Sequence, residues 1–185
     1  VKAGLKYAEV ANDNRYRFDS LYNGNYVEVE NMSNHFRYKE RIAAAYISVS
    51  KKLNKTSMDA GLRLEYTKAD GHTVKQDVNN QWEYTRLFPT FSLEQEITAG
   101  DKLSFSVSRR INRPSYSQLN PVRWYTDQYF YYAGNPGLLP EMAWVSSVGY
   151  TLKQKYVLTL SYGHSSHYIN RKLIIDNNGI SIKSL

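Results

Sequence analysis

The sequence predicts an all-β chain, an antiparallel up-and-down β-barrel that crosses a membrane with its strands. Three observations predict it. Apolar and polar residues alternate with period two along most of the chain, and helical periodicity is hard to find. The connections between the alternating stretches are by turns short and long. The aromatic residues comprise 17 Tyr, 6 Phe and 3 Trp. Tyrosine joins an apolar ring to a wet hydroxyl, and barrels gather it in girdles at both membrane surfaces. It also has high strand propensity, so a soluble β protein would carry it too.

The mean hydropathy of −0.59 does not oppose a membrane barrel, because only alternate residues face lipid and the loops are polar. No stretch approaches the roughly 18 to 20 consecutive apolar residues of a transmembrane helix. With 185 residues the chain is long enough for one domain with a substantial core, and residues 1–185 are read as a single barrel segment.

Taken in order, a first and weaker strand lies near residues 5–10. Ala43, Ala45, Ile47, Val49 and Leu53 then oppose Ala44, Tyr46, Ser48 and Ser50. The clearest alternation runs from Met58 to Lys68, with Met58, Ala60, Leu62, Leu64 and Tyr66 on one face and Asp59, Gly61, Arg63, Glu65 and Thr67 on the other. Strand geometry forces that separation, since successive side chains point to opposite faces. Leu87, Phe91, Leu93 and Ile97 oppose Arg86, Thr90, Ser92, Glu94 and Glu96, and Leu103, Phe105 and Val107 oppose Lys102, Ser104, Ser106 and Ser108. Trp144, Val148, Tyr150 and Leu152 oppose Val145, Ser147, Gly149 and Thr151, and Tyr156, Leu158, Leu160 and Tyr162 oppose Val157, Thr159, Ser161 and Gly163. A last, weaker strand near residues 168–175 brings the expectation to about eight strands, many near the roughly 9 to 11 residues that cross a bilayer when tilted.

Residues 53–56, 98–101 and 153–155 read as short turns; residues 69–81, 112–141 and most of 12–35 read as long loops. An outer-membrane barrel sorts its connections this way, with short periplasmic turns and long extracellular loops. Residues 163–167 break the pattern as a short connection on the long-loop side. Alternation alone leaves open which face is outside, because a soluble barrel would turn the apolar face inward. Lys51 and Gln95, the misfits on the proposed lipid face, lie near turns, where a long side chain reaches the interface.

Net charge is +7 without a Lys/Arg run of five or more, and the basic residues are scattered, so nucleic acid is not the expected partner. The absence of cysteine removes disulfides, thiolate metal sites and cysteine nucleophiles. The sequence contains no phosphate loop, nucleophile elbow or zinc-protease helix. Glu94 and Glu96 are paired carboxylates on one strand face, where they are expected to balance Lys or Arg across a lumen rather than to do acid/base work. No enzyme and no cofactor is expected. The start at Val1-Lys2-Ala3-Gly4, without initiator Met or signal peptide, reads as a segment cut from something longer or a matured product.

Arg109-Arg110-Ile111-Asn112-Arg113-Pro114-Ser115-Tyr116-Ser117-Gln118-Leu119-Asn120-Pro121, continuing through Tyr125, Asp127 and Tyr129 to Gly134-Asn135-Pro136-Gly137-Leu138-Leu139-Pro140-Glu141, reads on its own as a loop with several turns. In this order it resembles the barrel-forming family of Bacteroidetes outer-membrane proteins, the barrel portion of TonB-dependent receptor-like proteins. The segments Ser33 to Tyr46, Ala60-Gly61-Leu62-Arg63-Leu64-Glu65-Tyr66-Thr67 and Arg86-Leu87-Phe88-Pro89-Thr90 resemble strand segments of that family. The resemblance implies a barrel of about twenty-two strands around a plug, set in the bacterial outer membrane and engaging an energising inner-membrane complex through parts absent from this chain. The chain is then expected to be a wall segment of a transporter for an unidentified extracellular solute, with outer-membrane lipid as its surroundings. Two rivals remain open at this point: a self-contained small outer-membrane barrel with a structural or adhesive role, and a soluble β-barrel that binds a ligand.

The loop aromatics Trp124, Tyr125, Tyr129, Phe130, Tyr131 and Tyr132 are the best ligand candidates. Their faces can stack on sugars, chelates or peptides with few rotors to freeze; the alternative is a strand extension that continues the girdle. Arg109, Arg110 and Arg113 cluster where a strand leaves the membrane and are candidates for an anionic lipid or phosphate, against a lumen charge network. Within the resemblance, Arg113-Pro114-Ser115-Tyr116 reads as a determinant of the loop's fold. His164 and His167, with His35 and His72 on other loops, and Asp70, Asp77 and Asp127 lack the spacing of a zinc or calcium site, so no metal is expected.

Overall fold

The computed structural model describes residues 1–30, 32–126, 130–176 and 179–184. Its strands are β1 (Lys2–Tyr16), β2 (Asp19–Tyr22), β3 (Asn25–Glu28), β4 (Asn34–Leu53), β5 (Thr56–Thr73), β6 (Val78–Glu96), β7 (Lys102–Asn112), β8 (Trp124–Tyr125), β9 (Phe130–Ala133), β10 (Glu141–Leu152), β11 (Tyr156–Ser166), β12 (Arg171–Asp176) and β13 (Gly179–Ser184), with one short helix, α1 (Tyr116–Leu119). A seven-stranded antiparallel wall runs in the order β1-β4-β5-β6-β7-β10-β11. It is an open sheet, because β1 and β11 end it rather than pair with each other.

The wall has one apolar and one polar face. In register, Leu5, Ala45, Leu64 and Leu87 form one outward row and Tyr7, Ala43, Tyr66 and Thr85 the next. Leu64 is 47% exposed and Leu158 is 65% exposed. No dry interior gathers these leucines, so the apolar face is the one turned away from the protein. Beyond the Tyr7–Tyr66 row the same face turns charged, with Glu9, Arg41, Lys68 and Glu83 side by side. Arg41 (3.2 Å) and Lys39 (2.8 Å) share Glu9, and Arg37 (3.1 Å) and His35 share Asp13. The step from phenol to ion pair marks where hydrocarbon ends, as expected of an aromatic girdle.

This boundary explains the first departure from the sequence reading. β4, β5 and β6 have 20, 18 and 19 residues, well beyond the roughly 9 to 11 that span a bilayer. Residues 69–81, expected as a long loop, are mostly the tips of β5 and β6, closed by a short 3-10 turn at Val74–Gln76. Above the membrane the outward face turns polar while the inward face carries Phe36, Tyr38 and Trp82, so the alternation that signals a lipid-facing strand fades while the ladder continues. Residues 12–35 likewise contain the end of β1, the start of β4 and a separate hairpin, β2–β3. Its Asn23-Gly24 turn has φ of 47° and 81°, the left-handed pair that a tight hairpin requires. Lys75 (2.6 Å) binds Glu28 and ties this hairpin to the β5–β6 tip, and Arg17, just before β2, approaches the same carboxylate at 3.7 Å. That contact with Lys75 holds the Glu28 carboxyl below its ordinary range.

The second departure concerns strand number. The expected eighth wall strand, near residues 168–175, turns away after Ser166, and β12 joins a four-stranded sheet in the order β12-β13-β9-β8. In that sheet β13 and β9 run parallel. Residues 163–166, read as a short connection, continue β11. The wall is also stepped. β6 pairs with β7 only from Thr90 downward, and at Pro89, which has no N–H to give, the ladder stops. Arg109 Nη1 reaches across this notch to the Leu87 carbonyl at 3.3 Å.

Placing a charge on the apolar face is expected to cost far more than placing it on the other. Leu62→Arg should lower folding stability in lipid vesicles by about 2–4 kcal/mol, read from urea titrations, whereas Ser106→Arg, on the polar face, should cost well under half of that.

Candidate ligand-binding site

The long connection between β7 and β10 folds down onto the polar face of the wall, and its sequence accounts for how. Ser115 opens α1, and Gln118 Oε1 accepts from the Ser115 backbone N–H (2.8 Å) and hydroxyl (2.9 Å), the reciprocal arrangement of a capping box. α1 presents Tyr116 and Leu119 to the wall. Leu119 and Leu138 bury against Phe36, with Tyr38, Trp82, Tyr116 and Ile169 around them. Asn120 closes the helix by accepting from Val122 N–H at 3.0 Å. The returning chain lies against this end, Gly134 N–H donating to the Asn120 carbonyl at 2.8 Å and Asn135 N–H to that of Gln118 at 2.6 Å. A Cβ at position 134 would collide with both carbonyls, so the close approach requires glycine.

One ionic contact pins the loop where it leaves β7. Arg113 reaches Glu65, which is only 2% exposed, and Glu40 at 3.4 Å. Arg63 holds the other oxygen of Glu65. Two arginines on one buried carboxylate satisfy the condition under which such a charge is tolerated.

Between the top of β1, α1 and β8–β9 lies a cavity of about 400 Å3. Tyr16, Tyr116, Trp124 and Tyr132 wall it, with Gln118, Asn120 and Arg171 among its polar lining. Tyr16 and Trp124 meet with ring centroids 5.4 Å apart at 40°. The Tyr116 hydroxyl donates to the Phe36 carbonyl at 3.4 Å and accepts from Asn120 Nδ2 at 3.3 Å. Burial pushes its ionisation above the ordinary phenol value, against a smaller opposing effect of the Asn14 side chain, and it stays a neutral donor. Such a site can hold and orient a ring-bearing solute. It has the aromatic bulk and few convergent polar groups of a small-molecule pocket.

The structure divides the aromatic candidates by strand alternation. Trp124 and Tyr132 pair across β8 and β9, as do Tyr125 and Tyr131, so the two pairs point to opposite faces. Trp124 and Tyr132 reach the cavity. Tyr125 and Tyr131 stack on each other at 5.4 Å, with Tyr131 only 1% exposed and under the Arg123 guanidinium. Phe130 packs edge-on against Tyr132. Tyr129 and Asp127 lie outside the described residues. The three arginines do not share a face. Arg109 is on the apolar side, its guanidinium 6.0 Å over the Trp144 ring. Arg110 is on the polar side, bonded to Ser108 at 3.3 Å, and Arg113 is the half-buried pin on Glu65. His35 and His72 each face a carboxylate, Asp13 and Asp77. Tyr16 and Arg171 escaped the sequence reading, one inside a stretch read as loop and the other on a strand assigned to the wall. Tyr116 and Gln118 lay within a motif read as loop architecture, which they also are.

The sequence model of the outer membrane protein beta-barrel family matches residues 1–184. The chain belongs to that family. Its place is the outer membrane, and the seven-stranded wall is part of such a barrel. Among solved structures, the siderophore receptor PirA from Pseudomonas aeruginosa is similar over 97% of this chain and 40% of that one, at 10% identity and a TM-score of 0.50. The ferric enterobactin receptor PfeA from Pseudomonas aeruginosa, in complex with enterobactin, aligns over 98% of this chain and 36% of that one, at 14% identity and a TM-score of 0.45. The chain thus spans 40% of the length of the siderophore receptor. No curated protein matches it.

Freeing the pin should release the loop while leaving the wall intact. Arg113→Ala leaves the Glu65 carboxylate short of a partner, a change that typically costs about 3–5 kcal/mol for a buried pair. Limited proteolysis is expected to cut residues 113–126 of the variant quickly and those of the parent slowly, with β-sheet circular dichroism unchanged.

Proposed function

We propose that this chain is a wall segment of a TonB-dependent-receptor-like outer-membrane transporter, and that the pocket under its β7–β10 loop receives an extracellular solute. The observation that carries the reading is the direction in which that loop folds. It lies on the polar face, above Ser104, Ser106, Ser147 and their neighbours, the face that lines the lumen when the apolar face meets lipid. A solute held there sits at the mouth of the passage. The role we propose is transport: the groups at the pocket bind and orient.

The open ends of the wall support a larger barrel. In hydrocarbon the free edges of β1 and β11 need further strands, and the two are separated by the whole width of the sheet. This argues against the self-contained small barrel, just as the exposed apolar face argues against the soluble one. The polar lumen face would seat a plug, and the energising inner-membrane complex would be reached through that plug, in parts outside this chain. Of the three arginine candidates, Arg109 alone stands on the lipid side at the upper edge of the apolar band, where a lipid phosphate is within reach.

The test is solute uptake by cells that depend on the protein carrying this chain. Trp124→Ala and Tyr132→Ala are each expected to reduce uptake at limiting solute by about tenfold, one aromatic contact being worth roughly 1–3 kcal/mol, with outer-membrane abundance unchanged. Uptake unaffected by both substitutions would place the solute elsewhere.

A further inference from the structure

The chemistry of the pocket narrows the class of solute, on the reading that the pocket is the solute site. Two of its amide oxygens are engaged internally. Gln118 Oε1 takes the Ser115 N–H and hydroxyl, and because a backbone N–H only donates, the amide NH2 is left for a ligand. Asn120 Oδ1 takes the Val122 N–H, and its Nδ2 is engaged with the Tyr116 hydroxyl. Arg171 has only donors to offer, and no Asp or Glu lines the cavity among the described residues. Among its described residues the pocket therefore offers the Arg171 guanidinium and the Gln118 amide as donors and no carboxylate as acceptor. A neutral sugar would bring no anionic group for the Arg171 guanidinium to bind. A bare inorganic anion would leave four aromatic walls unused.

We propose that the pocket takes an acidic sugar, a pyranose ring bearing a carboxylate. The carboxylate binds the Arg171 guanidinium, a planar fork that suits it, and ring or hydroxyl oxygens accept from the Gln118 amide. The apolar C–H faces of the ring rest on Tyr16 and Trp124. Those two rings are splayed by 40°, a wall that fits the puckered face of a pyranose better than a flat aryl plate. A volume of about 400 Å3 admits one or two such rings.

The experiment is a titration of the purified, detergent-solubilised protein carrying this chain with three probes: digalacturonate, its neutral counterpart digalactose, and 2,3-dihydroxybenzoate. Tryptophan fluorescence is the readout, and Trp124→Phe identifies the responding residue. Digalacturonate is expected to quench Trp124 and to bind at least about tenfold more tightly than digalactose, one charge-assisted contact being worth that much. Arg171→Gln should erase the preference and Arg171→Lys should restore part of it, while Arg110→Gln, on the lumen face outside the cavity, should change nothing. Thermal unfolding identical to that of the parent shows that the Arg171 variants remain folded. Equal affinity for both disaccharides, or a preference that survives Arg171→Gln, overturns the proposal. So does binding of 2,3-dihydroxybenzoate alone, which corrects the solute class and leaves the pocket as the site. A silent Trp124 with all three probes overturns it too; if Trp124→Ala then also leaves uptake unchanged, the site itself is wrong.

Discussion

A backbone N–H or C=O inside hydrocarbon has no water to turn to, and leaving one unpaired costs several kcal/mol. A chain that crosses by strands must therefore complete its ladder, and the pleat of that ladder presents two faces to two different solvents. The seven-stranded wall follows from this constraint. Leu5, Leu64 and Leu160 sit on one face, and Ser106, Ser147 and Thr159 on the other, in a register that holds across every pair. A slip of one residue in any strand would turn its leucines into the lumen and its serines into lipid. The notch at Pro89 shows the same rule at a local scale. Where the ladder is interrupted, the Arg109 guanidinium supplies the hydrogen bond that β7 does not.

The two-faced wall also decides where a large loop can settle. The apolar face is committed to lipid, so the β7–β10 loop has the polar face, and it holds on there with modest means. Its buried apolar centre is Phe36, Leu119 and Leu138, each worth about 1.5–3 kcal/mol on burial. The Arg113–Glu65 contact adds placement more than net stability, because desolvating two charges offsets much of their attraction. Loss of either partner is the costly event. The capping box of Ser115, the turn at Asn120 and the close approach at Gly134 then set the angle at which β8 and β9 leave, and with it the position of Trp124 and Tyr132 over Tyr16. The pocket is a by-product of how the loop is tied down, and the residues that tie it overlap with those that line it.

The alternation from Met58 to Lys68 made β5 legible because lipid and lumen demand opposite residue types there. The same logic failed above the membrane. Residues 69–73 and 78–82 lose the lipid-facing apolar row, and only the pairing of β5 with β4 and of β6 with β5 reveals them as strand. Residues 168–175 failed in the other direction, since the apolar run Leu173-Ile174-Ile175 reads as strand, yet the strand it forms pairs with β13 in the loop sheet. The aromatic cluster was legible as a group. Its division into a pocket pair and a stacked pair required knowing that β8 and β9 face each other. Tyr16 and Arg171 come from distant parts of the sequence, and no local pattern brings them together.

Collision accessibility of a nitroxide carried at each position from 58 to 67, in the protein carrying this chain reconstituted in lipid vesicles, tests the two-faced wall most directly. The predicted result is a period-two profile in which positions 60, 62 and 64 are open to oxygen dissolved in the bilayer and closed to a water-soluble nickel chelate, while positions 61, 63 and 65 are not open to oxygen. A profile with the opposite phase, or one without alternation, would contradict the account.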